Sequence, residues 1–68
     1  MKNWVKLERA RIDITQMQLA EAVGVSVQTI NSIENYRFYP SLVVALKIAN
    51  YFDKDLSELF ILEDGDMV

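Results

Sequence analysis

Apolar positions along the chain recur at helical spacing, and no stretch alternates apolar and polar residues as a half-buried strand does. Five helices follow from this pattern. The first covers roughly Asn3 to Ile12, with Trp4, Val5, Leu7 and Ile12 as its apolar positions, and Asp13-Ile14 forms a tight connection. Thr15 is placed to cap the second helix. Gln18, three residues on, completes a Thr-x-x-Gln capping box that satisfies two otherwise unpaired amides. Leu19, Ala20 and Val23 then share one face, and Gly24 ends the helix where the chain needs a positive φ that glycine adopts without a Cβ clash. After Val25, Ser26 caps a third helix running from Val27 to about Asn35. Two short helices joined through Gly24-Val25-Ser26 make the glycine-containing turn of a helix-turn-helix. The segment Tyr36 to Tyr39 is a loop closed by Pro40. Ser41 caps helix four, Leu42 to about Phe52, whose wide apolar stripe is Ala45, Leu46, Ile48, Ala49 and Phe52. Asp55 with Glu58 forms another capping box and opens a short fifth helix through Leu59 and Phe60.

The expectation is an all-α fold, a compact bundle of about five short helices. Residues 1–62 form one domain, and 63–68 form an acidic tail expected to fray. A length of 68 residues leaves room for one domain. The 51% apolar share lies in the globular range and argues against disorder. With no cysteine and no histidine, neither a disulfide nor a thiolate or imidazole metal site is available, and no cofactor is expected. Glycine-rich phosphate loops and metal constellations are absent as well, so enzymatic chemistry is not expected. No apolar run reaches membrane-spanning length and no apolar leader opens the chain, which makes the cytoplasm the expected address.

Charge complicates a nucleic-acid reading. The chain carries −3, with a pI near 4.7. From Asp55 onward Asp55, Glu58, Glu63, Asp64 and Asp66 stand without a Lys or Arg, leaving residues 1–54 at +2. The acidity is thus concentrated at one end, and a DNA-facing surface elsewhere stays open without support from charge.

At about 100° per residue, Ile30 and Ile33 of the third helix point toward the core with Leu19, Ala20 and Val23. The opposite side collects Gln28, Asn31, Ser32 and Asn35, with Val27 at the flank. Solvent-facing helices favour Lys, Glu and Arg, which have better helix propensity than Asn or Ser. A face of neutral amides and hydroxyls suits base edges in the major groove, where Gln and Asn pair bidentately with adenine and Val27 can touch a thymine methyl. A surface helix that merely lacks charge is the other reading of the same face.

The run Thr15-Gln16-x-x-Leu19-Ala20-x-x-Val23-Gly24-Val25-Ser26-x-Gln28-Thr29-Ile30-x-x-Ile33-Glu34-Asn35 resembles the core of the phage Cro/repressor-type helix-turn-helix family, also called the Xre family. The resemblance continues through Pro40-Ser41-Leu42 and Ala45-Leu46-Lys47-Ile48-Ala49 to Leu59-Phe60, and so covers about Asn3 to Phe60. It implies a lambda-repressor-like fold and a DNA-binding transcriptional regulator, most often a repressor. By the same resemblance Val27, Gln28, Ser32 and Asn31 read bases, with Thr29 and Asn31 nearer the groove walls. Gln16, Ser26, Thr29, Asn35 and Arg37 fall at phosphate-binding positions, and Gln16 is similar to a glutamine that also braces a recognition-helix glutamine. Arg9 and Glu34 correspond to a partly buried ion pair tying helix one to the end of helix three. Three departures stand out. Asn35-Tyr36 replaces Asn-Gly, Phe52-Asp53 replaces Phe-Gly, and Val27 stands where relatives often carry a cation.

One short recognition helix reads only a half-site, so the resemblance implies a homodimer on a palindromic double-stranded operator. Phe60, Ile61 and Leu62 are the candidate dimer interface, joined by Tyr51, Leu42 and Val43. In the alternative packing Leu59 and Phe60 seal the core while Ile61 and Leu62 stay loose. A protein-interaction module on the same fold, or an antitoxin-like regulator with a protein partner, remains the rival to a plain repressor.

Overall fold

A computed structural model describes residues 1–67; Val68, the last residue of the segment expected to fray, lies outside the described residues. In chain order the elements are β1 (Lys2–Asn3), α1 (Val5–Arg11), α2 (Gln16–Val23), α3 (Val27–Glu34), α4 (Leu42–Tyr51), α5 (Leu56–Leu59) and β2 (Phe60–Ile61), followed by a 3-10 turn at Asp64–Met67. The five helices form a lambda-repressor-like bundle. Its core joins Val5, Leu19, Ala20, Val23, Ile30, Ile33, Ile48, Ala49, Phe52 and Leu59, so every helix contributes to one cluster. No helix among the described residues is long and apolar enough to cross a membrane.

The caps read from sequence are present. Thr15 Oγ1 accepts from Gln18 N at 3.0 Å while Gln18 Oε1 accepts from Thr15 N at 2.8 Å. Ser26, Ser41 and Asp55 sit at the N-caps of α3, α4 and α5. Helix ends show a pattern the sequence left hidden. Ile14 N bonds Arg9 O at 3.1 Å, Arg37 N bonds Ser32 O at 2.9 Å, and Lys54 N bonds Ala49 O at 2.9 Å. Each is the closing bond of a Schellman motif. The left-handed residue inside each motif is not glycine but Asp13 (φ 57°), Tyr36 (φ 63°) or Asp53 (φ 55°). Tyr36 and Asp53 therefore hold left-handed turns with a side chain present, at a steric cost on the order of 1–2 kcal/mol each.

Two expectations change. The chain is not purely helical, because Lys2 pairs with Ile61 and Asn3 with Phe60 in an antiparallel ladder. Two residues per strand are too few to show alternation, and the partners lie at opposite ends of the chain. Helix one consequently begins at Val5 rather than Asn3, and α5 stops at Leu59 because Phe60 turns extended (φ −117°, ψ 124°). Of the apolar residues on α1 only Val5 is buried; Trp4, Leu7 and Ile12 are each about half exposed, as is Leu46 on α4. Asp64–Met67 form a 3-10 turn in which Asp66 meets the Met1 ammonium at 2.6 Å and Glu63 meets it at 3.1 Å.

Candidate nucleic-acid interface

Between α2 and α3 the chain reverses over three residues. Gly24 takes the left-handed conformation (φ 77°), and both its amide and that of Val25 return to Ala20 O, at 2.9 and 3.0 Å. Ser26 Oγ then accepts from Thr29 N at 3.1 Å and starts α3. Leu19, Ala20 and Val23 meet Ile30 and Ile33 in the core, which fixes the roll of α3 and decides what its outer side presents.

That outer side carries Gln28 and Asn31, both exposed, with Val27 38% exposed at the first turn and Ser32 half-buried beside them. Among the described residues, neither the Gln28 nor the Asn31 side chain has a hydrogen-bond partner. Their amides are therefore available, as donor and acceptor together, to a ligand edge.

The residues singled out for phosphate contact divide into engaged and free groups. Ser26 Oγ and Thr29 Oγ1 lie 2.9 Å apart, so one hydroxyl proton of the pair is used between them and the other can face outward. Asn35 folds back, its Nδ2 donating to Asn31 O at 2.8 Å, where it caps the end of its own helix. Arg37 is exposed and its guanidinium has no ion-pair partner among the described residues. Gln16 is half-buried and donates from Nε2 to Glu34 Oε1 at 3.1 Å, so its protein partner is an acid at the end of α3 and not Gln28.

Arg9 and Glu34 meet in a forked pair, with Nε to Oε2 at 2.8 Å and Nη2 to Oε1 at 3.1 Å, while Nη1 donates to Ile14 O at 3.0 Å. The hydrogen bonds to Glu34 hold the guanidinium pKa above its ordinary value. One residue to which the sequence assigned no role beyond starting helix one joins this frame. Asn3 is buried; its Nδ2 donates to Ile33 O at 2.8 Å and its Oδ1 accepts from Val5 N at 3.1 Å. It starts α1 and ties it to the last turn of α3. An Asn just ahead of a helix is the available signal, and a helix start assigned at Asn3 itself concealed it.

Phe60 and Ile61 form β2, and Leu62 follows it. Phe60 is half-buried against the core, whereas Ile61 and Leu62 are 39% and 60% exposed. With Tyr39, Pro40, Leu42, Ala45 and Leu56, Phe60 and Leu62 line an apolar groove of about 660 Å³.

The helix-turn-helix family model matches residues 5–59. The chain belongs to the Cro/repressor-type helix-turn-helix family. Its similarity to other helix-turn-helix proteins spans nearly the whole chain. It is 46% identical to an HTH-type transcriptional regulator of Methanocaldococcus jannaschii over 66 residues, covering 97% of this chain and 100% of that one. It is 45% identical to one of Bacillus subtilis over 64 residues, covering 94% and 97%. A third, from Archaeoglobus fulgidus, is 36% identical over 67 residues, covering 98% and 94%. The α2–turn–α3 unit lies within the matched helix-turn-helix span, and α3 is the second helix of its motif.

Proposed function

We propose that the protein is a sequence-specific DNA-binding transcriptional regulator acting in the cytoplasm, a repressor that inserts α3 into the major groove of a palindromic operator as a homodimer. The observation that carries this reading is the outer side of α3, where Gln28 and Asn31 are exposed, uncharged and without protein partners. Gln28 and Ser32 are the principal base readers, Asn31 stands nearer the groove wall, and Val27 supplies an apolar contact to a thymine methyl. Arg37, the outward hydroxyl of the Ser26–Thr29 pair, Gln16 and the free atoms of Asn35 hold phosphates and set the register without reading sequence. The repressor sense rests on the resemblance to Cro/repressor-type proteins, and the relatives' names support regulation of transcription.

Dimerisation follows from the short reading surface together with the small number of cations near it. The exposed Leu42 and Leu62 of the apolar groove wall, with their exposed chain neighbours Val43 and Ile61, are the surface offered to a second copy; Phe60, half-buried against the core, adjoins them. Contiguous exposed apolar surface of this kind marks interaction sites.

Selection from a randomised duplex pool, followed by fluorescence anisotropy at low and moderate salt, tests the proposal. A palindromic site should be enriched, and Gln28→Ala should relax selection at the position it reads, weakening binding by about 1–3 kcal/mol. A folded, monodisperse protein that binds no duplex at low salt would overturn it. That result would favour a protein-partner module, to which the overall acidity points.

A further inference from the structure

We infer that Glu34 is a positioning residue for DNA contact: it fixes the orientation of the Gln16 carboxamide so that an N–H, rather than the carbonyl oxygen, faces the phosphate. This rests on the DNA-binding reading above. A glutamine at the first position of a helix ordinarily rotates in solvent, and its amide presents donor or acceptor according to its surroundings. Here the surroundings leave one choice. The Glu34 side chain is 2% exposed and ionised beside Arg9, so it can only accept, and the atom of Gln16 that meets it must be Nε2. That contact uses one of the two N–H bonds on Nε2. The second points away from the carboxylate.

Gln16 stands at the N-terminal end of α2, where further donors are open. The backbone amides of Gln16 and Met17 open α2, and neither is capped, since Thr15 Oγ1 accepts from Gln18 N. A carbonyl oxygen turned the same way would oppose a phosphate; an N–H extends the set of donors. Arg9 makes the arrangement compatible with an anion nearby, because its fork offsets the Glu34 charge that would otherwise repel phosphate. The same carboxylate thus ties α1 to α3 and sets one contact of α2.

Glu34→Gln separates the two roles. The introduced carboxamide can offer either an oxygen or an NH2 group to Gln16, so the Gln16 amide is free to flip. A double-mutant cycle with Gln16→Ala, measured as duplex affinity on folded protein, is the test. Each single change should weaken binding about ten-fold, to a similar degree on every sequence. The double variant should be no weaker than Gln16→Ala alone. Thermal unfolding of Glu34→Gln should show a stability loss that Gln16→Ala does not mask, so stability and affinity part company. Additive losses in affinity, or unchanged affinity of folded Glu34→Gln beside weakened Gln16→Ala, would overturn the inference while leaving DNA binding intact. Wild-type protein that binds no duplex defeats the function reading itself. Should Glu34→Gln not fold, NMR of the wild-type protein decides: one Gln16 carboxamide proton should be shifted downfield of its free-glutamine position and protected from exchange. Free-glutamine shifts and fast exchange at both protons would overturn the inference without any DNA present.

Discussion

Arg9→Met puts the largest load on a single side-chain contact. The change keeps much of the aliphatic volume and removes the guanidinium. It deprives Glu34 of two donors at 2.8 and 3.1 Å and leaves a carboxylate of 2% side-chain exposure with Gln16 alone. Ile14 O loses its donor too, but Ile14 is half-buried and water can take that place. Removing one partner of a buried pair costs about 3–5 kcal/mol. Arg9 retains 16% side-chain exposure, which puts the pair toward the lower end, near about 3 kcal/mol. For a domain this size each kcal/mol moves the melting temperature by about 4–8 °C, so a fall of about 12–24 °C is expected. Glu34→Leu alone should cost less, since the partly exposed Arg9 can turn its head to water. The double variant Arg9→Met/Glu34→Leu should recover most of the loss, because a well-packed apolar pair avoids the burial of charge. Urea unfolding followed by circular dichroism measures all four proteins. An Arg9→Met cost below about 1 kcal/mol, or a double variant that loses the sum of the singles, would refute the account of Glu34 as a buried charge held by Arg9.

Asn3→Ala removes the acceptor of Val5 N and one donor to Ile33 O, which keeps its bond from Tyr36 N at 3.1 Å, and should cost about 1 kcal/mol in urea unfolding. Asp53→Gly relieves a left-handed φ of 55° at an exposed site; set against the greater chain freedom of glycine when unfolded, a net gain of about 0.5–1 kcal/mol is expected, read as a raised melting temperature. The contact between Asp66 and the Met1 ammonium is pH-bounded on both sides. Hydrogen bonding to the ammonium lowers the Asp66 pKa, so its contribution is complete above about pH 4 and is lost as pH falls through the lowered value. Hydrogen bonding to Asp66 raises the ammonium pKa, so the contribution is complete below about pH 8 and is lost as pH rises through the raised value. The NMR signals of Asp66 and of Tyr39, whose hydroxyl also bonds Asp66, should report the turn loosening at both extremes and staying fixed between them.

The proposed DNA-facing surface and the acidic end serve different requirements. Arg37 is the exposed cation beside the end of α3, and Val27 places none in the first turn of that helix. A shallow dependence of affinity on salt is the corollary, since few counterions are released. On the proposed reading, discrimination falls on the amide face of α3 and on the spacing of two half-sites, with self-association a part of recognition.

Local chemistry was legible in the sequence. Thr15 with Gln18, Ser26, Ser41 and Asp55 with Glu58 mark helix starts because a cap is made within a few residues, and Gly24 marks the turn because few other residues accept its φ. The core side of α3 was legible for the same reason, as periodicity alone separates Ile30 and Ile33 from Gln28 and Asn31. What the tertiary structure decided depends on residues far apart in the chain. Lys2–Asn3 become a strand only because Phe60–Ile61 return beside them, and α5 is cut short by that pairing. Tyr36 and Asp53 occupy left-handed positions because the packing of α3 and α4 dictates where the chain must turn, against their own preference. Gln16 is oriented by Glu34, a contact between α2 and the end of α3 that no local pattern encodes. Caps, turns and faces are short-range and written in order along the chain; pairing, register and the direction of a side-chain amide are fixed only when the helices close around Glu34.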